Sequence, residues 1–362
     1  MNFLNIYPNI PVQIKEAEGC YLISDSNKKY LDLIGGLGVN ILGYHNLDCE
    51  RALSDRKIVA HISNLYLHPL REKIAGKLNN LCGMDKTFFT NSGTESNEAA
   101  LKFAWKEKPG KVLAFEGSFH GRTLGSFSLS HLFIQQDFPR IDTPVEFVYW
   151  NDPDDLRKKG KDAAIVIFEP IQGAGGVRVM NSACFDVLKE LQNKGAIIIT
   201  DEIQSGLGRT GSFLASSFED FHPDIVTLGK GLGGGLPLGA VAMKERVASN
   251  LKVGDHGTTM GGNLLALQLA EVVLEKIENG LMRHNMEIER NVVEDFREEL
   301  GIRGRGLQLG FDVTDGKKFA DEIREKGYLV NIIRKNTVRL LPPYIIKEEE
   351  LRKFFKTVED II

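Results

Sequence analysis

The sequence predicts an α/β protein in which a large unit built on a mostly parallel sheet precedes a smaller α+β unit. Three observations carry this. Through the middle of the 362-residue chain, strand-length apolar runs alternate with helical patterns. The runs "KVLAFEG" (111–117), "AAIVIFEP" (163–170), "GAIIITDE" (195–202) and "DIVTLGK" (224–230) are continuously apolar, as expected of strands covered on both faces. After "GTTMGGN" (257–263) the texture changes to a long helical stretch followed by shorter strand-like pieces.

Taken in order, residues 1–45 form a segment bridging to the smaller unit, residues 46–262 the large unit and residues 263–362 the smaller one. In "NSGTESNEAALKFAW" (91–105), Ser92 and Glu95 fit a capping box, and the helix they open stops before Pro109–Gly110. "SACFDVLKELQNKG" (182–195) reads as a helix with Ser182 at its start and Gly195 at its end. The stretch from Leu264 is helical, breaks at Asn279–Gly280 and resumes toward Leu300. "GLQLGFDV", "YLVNII" and "TVRLLPPYII" are strand-like, and a charged helix begins near Lys347.

With 45 basic against 49 acidic residues the net charge is −4, so no strong basic field points to nucleic acid or an anionic membrane. Cys20, Cys49, Cys82 and Cys184 are scattered, with no CxxC pair, and read as free thiols in a reducing cytoplasm; no metal site is expected. The start "MNFLNIYPNIPV" lacks a basic n-region and a long apolar core, and no apolar run reaches the roughly 18 residues of a membrane span. A cytoplasmic protein is expected.

Ligand-binding groups of open α/β sheets collect just past the carboxyl ends of the strands. Three runs end there in Glu169–Pro170, Asp201–Glu202 and Gly229–Lys230. The tract around Lys230, "VTLGKGLGGGLPLG", is not a P-loop: position 224 is Asp where that motif needs glycine, and Gly231 follows the lysine where it needs a hydroxyl. It follows a late strand and contains Pro237, which also argues against a dinucleotide loop. The helix start at Gly93–Thr94 offers a phosphate seat. Phosphate, carboxylate and amine together suit pyridoxal phosphate, whose ring nitrogen Asp201 would keep protonated while Lys230 binds the aldehyde.

The motifs "FFTNSGTESNEAALKFA", "FEGSFHGRTLGS", "IFEPIQGAGGV", "ITDEIQSGLGRTG", "TLGKGLGGGLPLGAV", "GDHGTTMGGN", "IRGRGLQLG" and "VRLLPPYII" resemble, in order, class III aminotransferases of fold type I. The likeness runs from residue 31 to the C-terminus. Within that class the chain is similar to acetylornithine aminotransferases and to relatives that act on lysine or ornithine carried by an acidic amino-group carrier protein. The resemblance implies transfer of the terminal amino group between an N2-acylated ornithine or lysine and 2-oxoglutarate, in arginine or lysine biosynthesis, by a homodimer. Ornithine or 4-aminobutyrate aminotransferase and glutamate semialdehyde aminomutase are same-fold alternatives; a non-catalytic cofactor-binding scaffold is the alternative from another class.

The resemblance also implies roles. Lys230 binds the cofactor aldehyde and moves the proton, Asp201 pairs with the ring nitrogen, Gln204 lies near the phenolic oxygen and Phe119 stacks on the ring. Gly93 and Thr94 bind the phosphate together with Thr259 of a neighbouring subunit. Arg122 and Thr258 hold the acylated substrate, and Arg339 the carboxylate of glutamate, a task that suits a planar guanidinium. His120, Glu169 and Arg209 read as structural supports. Two positions depart from the family pattern: Ala174 replaces the glutamate of "EPIQGE", and Leu264 the proline of "GGNP". The first removes a side chain that resembles a switch over Arg339, which puts the handling of two substrates in doubt unless another acid substitutes.

Overall fold

Strands that are apolar along their whole length must be covered on both sides, and the central sheet shows how. In the computed structural model, which describes residues 4, 6–55 and 59–362, the strand Ala163–Phe168 is buried at every residue. Its Ile165 and Ile167 join a core with Ala100 and Phe103 of the helix Gly93–Glu107. Val166 and Phe168 face the other way, onto Phe185 and Leu188 of the helix Ser182–Asn193. The pleat therefore sends successive side chains into two separate cores.

Seven strands form this sheet, in the spatial order Lys86–Thr90, Gly239–Met243, Ile225–Leu228, Ile197–Asp201, Ala163–Phe168, Lys111–Phe115 and Val145–Val148. Gly239–Met243 runs antiparallel to both neighbours; the other pairings are parallel. The carboxyl ends of Ile197–Asp201 and Ile225–Leu228 thus open on one edge, with Asp201 paired to Thr227. Glu169 and Lys230 lie just beyond strand ends.

Among the described residues two four-stranded sheets and a two-stranded one, Ile171–Gln172 with Arg178–Val179, complete the set. Ile14–Glu18, Tyr21–Ser24 and Lys29–Asp32 are joined by Tyr328–Leu329, so N-terminal residues share a sheet with the C-terminal part. Arg303–Arg305, Gln308–Asp312, Thr337–Leu340 and Asn331–Ile333 form the other, antiparallel throughout. The run 328–333 is therefore two strands in two sheets, divided at Val330. The run 337–346 leaves its sheet after Leu340, where Pro342 and Pro343 have no N–H to give a ladder.

Helix ends show further differences from the sequence reading. Asn181, not Ser182, caps the helix Ser182–Asn193 by accepting from Cys184 N. Ser92 does cap the helix Gly93–Glu107, but the Glu95 carboxylate reaches back to Asn91 N and Nδ2, one residue further than a capping box requires. Asn263 caps Leu264–Lys276, so Leu264 occupies the first helical position and is buried in the core. The helical run breaks at Gly280, whose φ of 134° is outside helical space, and resumes at Met282. All four cysteines are buried and free. No helix among the described residues is long and apolar enough to cross a membrane.

Candidate active site

A cavity of about 680 Å³ opens over the carboxyl edge of the central sheet, and Lys230, Asp201, Gly93, Thr94, Phe119 and Arg339 all line it. A volume of this size takes a small-molecule ligand. Lys230 enters from the turn after Ile225–Leu228 with φ 48°, a left-handed backbone that non-glycine residues adopt rarely and mostly where function requires it. Gly229 makes the placement sterically workable. A Cβ there would stand 3.1 Å from both Cα and N of Gly93, so glycine lets the lysine turn touch the start of the helix Gly93–Glu107.

Burial, and then the positive charge of Arg339, lower the Lys230 amine to about 7; Asp201 and Glu169 pull the other way. Its ordinary value is about 10.4, so the site holds a lysine that gives up its proton far more readily than a free one. Burial pushes the Glu169 carboxyl up to about 7. That carboxyl accepts from Phe119 N at 3.1 Å and Gly173 N at 3.3 Å, fixing the loop that carries Phe119.

Asp201 is pinned by three donors. Asn97 Nδ2 and His120 Nδ1 donate to Oδ2 at 2.7 and 2.8 Å, and Ile203 N donates to Oδ1 at 3.1 Å. Asn97 is itself oriented by Thr227, whose Oγ1 donates to Asn97 Oδ1 at 2.8 Å. His120 Nε2 is buried without a partner. The sequence reading missed Asn97. Its signal was available: an asparagine in the buried stripe with Ala100 and Ala104 is costly unless hydrogen-bonded.

Gly93 and Thr94 sit in the first turn of their helix, where N–H groups lack intrahelical acceptors and an anion is favoured. Thr94 Oγ1 is engaged by Ser126 Oγ at 2.7 Å and accepts from Arg122 N at 3.0 Å, which ties this turn to the "SFHGRT" loop. The Arg122 guanidinium lies 4.8 Å from the centre of the Phe133 ring, at the exposed wall of the cavity. Phe133 also meets the Phe119 ring edge-on at 5.7 Å.

Arg339 is nearly fully buried, and burial lowers it to about 10. It donates to Asn331 Oδ1 and, from Nη1 at 3.3 Å, to Gln204 Oε1. Arg209, fully buried, donates to the carbonyls of Leu307 and Pro342 and stacks over Tyr344 at 4.5 Å, bracing the segment that follows Arg339. Thr258 and Thr259 are not among the lining residues. Thr258 Oγ1 instead accepts from Asn91 Nδ2 and Gly261 N, both at 3.1 Å.

The residues present fit pyridoxal phosphate. A low-value amine, a carboxylate immobilised by three donors and a helix start meet in one cavity, matching an aldehyde, a protonated ring nitrogen and a phosphate. Among the described residues no group of three or more His, Cys, Asp or Glu side chains is placed to hold a metal ion.

Comparison with known proteins agrees with this chemistry. The acetylornithine aminotransferase of Archaeoglobus fulgidus is 39% identical over 359 residues, covering 97% of this chain and 96% of that protein. That of Aquifex aeolicus is 38% identical and covers 99% of both. Among solved structures, the ornithine aminotransferase of Toxoplasma gondii superposes with a TM-score of 0.92 at 28% identity, covering 99% of this chain and 93% of that one. The acetylornithine aminotransferase of Elizabethkingia anophelis gives 0.87 at 28% identity, over 99% and 95%. Residues 4–362 match the family described as aminotransferase class-III, and with a cavity built for its chemistry this chain belongs to that family.

Proposed function

We propose that this pyridoxal-phosphate-dependent transaminase moves the terminal amino group between an N2-acylated ornithine or lysine and 2-oxoglutarate. The observation that carries the reading is the meeting in one cavity of Lys230 with a lowered amine, a pinned Asp201 and a buried Arg339 that has no carboxylate within ion-pair distance among the described residues. The acetylornithine names of the relatives support the donor class.

Pyridoxal phosphate, when bound, supplies an electron sink and carries the amino group from donor to acceptor. The chain's residues do the rest. Lys230 Nζ, in its unprotonated form, takes a proton from the carbon bearing the donor amine in one half-reaction and delivers one to the acceptor's keto carbon in the other. Asp201, held by Asn97, His120 and Ile203, would keep the ring nitrogen protonated. Gly93 and Thr94 would receive the phosphate, Phe119 would cover the ring, and Gln204 would stand near the phenolic oxygen. Arg122 takes the acylated donor and Arg339 the α-carboxylate of glutamate; Thr258, which does not line this chain's own cavity, reaches the donor only across the dimer.

We read the active unit as a homodimer in which Thr259 completes the partner's phosphate site. Asn64 Nδ2 donates to the carbonyls of Thr258 and Gly261, so the threonine loop is tied to a tip where Leu65 and Leu67 are 92% and 96% exposed. Such an apolar tip is costly in a monomer. Residues 46–262 then form the cofactor-binding unit and 263–362 the smaller one, with 1–45 bridging them; an acidic amino-group carrier protein is a further partner of this reading. A fully active monomer in sedimentation at assay concentration contradicts the dimer.

A second reading, action on free ornithine, is favoured by the likeness to ornithine aminotransferases. Steady-state kcat/KM for N2-acetylornithine and for ornithine, each with 2-oxoglutarate, separates the two. A higher value for the free amino acid overturns the proposal.

A further inference from the structure

Four successive residues of the N-terminal segment, Gly35, Gly36, Leu37 and Gly38, have φ between 54° and 87°. The left-handed turn they form is flanked by bonds to the C-terminal part: Leu341 N donates to Leu33 O and Tyr344 N to Ile41 O, both at 2.8 Å. The turn ends against the reactive lysine. A Cβ on Gly38 would stand 3.9 Å from Lys230 Cδ, 3.9 Å from Arg209 Nη2 and 3.7 Å from Leu341 Cδ1. Arg209 and Lys230 therefore approach the same small space, one from the loop after Asp201 and the other from the loop after Leu228.

Arg209 is among the largest fully buried side chains of the described residues. Its Nη1 donates to the carbonyls of Leu307, at 3.2 Å, and Pro342, while Nη2 is buried with no partner. Among the described residues no carboxylate stands within ion-pair distance of it. The guanidinium lies over the ring of Tyr344, whose hydroxyl donates to Leu207 O. A buried charge with no counter-ion costs stability, and apolar side chains of similar volume often replace buried charges without loss. Packing alone therefore does not account for a cation here. What the cation faces is the Lys230 side chain.

Two carboxylates and two guanidiniums act on the Lys230 amine. Burial is the largest influence and disfavours its protonated form; Arg339 and Arg209 act in the same sense, against Asp201 and Glu169. The two arginines differ in place. Arg339 lines the cavity, where an incoming carboxylate would cancel its charge, whereas Arg209 is not among the lining residues.

We propose that Arg209 is a positioning residue for Lys230: from behind the cavity it fixes the Leu307 and Pro342 segments beside the lysine, and its permanent charge opposes protonation of the lysine amine. This rests on the reading of Lys230 as the group that takes the cofactor aldehyde.

The test follows pyridoxal-phosphate capture by the cofactor-free protein, using stopped-flow absorbance across pH, in wild type, Arg209→Gln, Arg209→Met and Arg209→Lys. Glutamine keeps a donor for the Pro342 carbonyl, methionine keeps apolar volume, and lysine keeps the charge without the fork. Ionisations of the free cofactor are common to all four proteins, so differences between their midpoints belong to the protein. Loss of a positive charge makes the protonated amine easier to hold, so the midpoint rises by about half a unit to one unit in both neutral variants. Arg209→Lys returns it to within about 0.3 unit of the wild type, although without the fork this variant unfolds at a lower temperature. A merely structural arginine gives another pattern, in which melting temperatures fall and the midpoint stays. That pattern, or a lysine variant shifted as far as the neutral ones, overturns the proposal. So does failure of both neutral variants to fold, which assigns the arginine to the fold. If Lys230→Ala captures the cofactor at the wild-type rate, the reading of Lys230 fails instead, whatever the Arg209 variants show.

Discussion

Asn331 Oδ1 accepts hydrogen bonds from both Nη2 (2.7 Å) and Nε (3.2 Å) of Arg339, the residue opposite it across the hairpin. The sequence left open whether another acid stands in for the glutamate absent at position 174. The structure puts an amide in hydrogen-bonding contact, while the Glu169 carboxyl acts on Arg339 only from beyond ion-pair distance. An asparagine oxygen satisfies the guanidinium's donors but brings no charge, so Arg339 keeps its attraction for a carboxylate.

That attraction is measurable with a short dicarboxylate inhibitor. Ala174→Glu or Asn331→Asp each places a carboxylate beside Arg339. A hydrogen-bonded charge pair is worth roughly 1.5–3 kcal/mol, so the inhibition constant rises about ten-fold or more in either variant. An unchanged constant in Ala174→Glu shows that Asn331 already masks the arginine.

Lys230→Ala removes the attachment point for the cofactor aldehyde. Borohydride treatment of the loaded variant followed by mass spectrometry is expected to show no added phosphopyridoxyl mass, with turnover nearly abolished and the fold retained. An adduct at another residue contradicts the assignment.

The lowered amine of Lys230 gives a pH signature in the cofactor-free protein. Only the neutral amine attacks an aldehyde, so the rate of cofactor capture rises as pH passes through about 7 and levels off above it. Arg339→Met removes the neighbouring positive charge that helps depress the amine, so the midpoint moves up. Asp201→Asn removes a negative charge that favours the protonated amine, so it moves down. Stopped-flow absorbance gives both midpoints; a shift of the wrong sign in either variant refutes the electrostatic account.

Asp201→Asn preserves shape but cannot balance a protonated ring nitrogen, and kcat is expected to fall about 10³-fold. Asn97→Ala leaves Asp201 charged but held by fewer donors. Its cost is milder, about ten-fold in kcat with a stability loss of about 1–3 kcal/mol. Equal losses in the two variants mean that Asn97 acts on more than the carboxylate.

The sequence by itself determined that Asp201 and Lys230 meet at one edge of the central sheet. Continuous apolar runs require a parallel sheet buried on both faces, and such a sheet aligns its carboxyl ends, so Asp201 and Lys230 become neighbours without any contact being known. Gly93 and Thr94 were legible for a similar reason, because Ser92 marks a helix start locally. What the tertiary structure alone decided are partners distant in the chain. Asn97 and His120 converge on Asp201 from a helix and a loop, and Thr227 of the adjoining strand holds Asn97 in place. The run 328–333 divides between two sheets at Val330, and that division sets Asn331 opposite Arg339. Periodicity reports which face of an element is buried; it carries no information on which residue of another element meets it. That is fixed by strand register and by the packing of the C-terminal sheet against the large one.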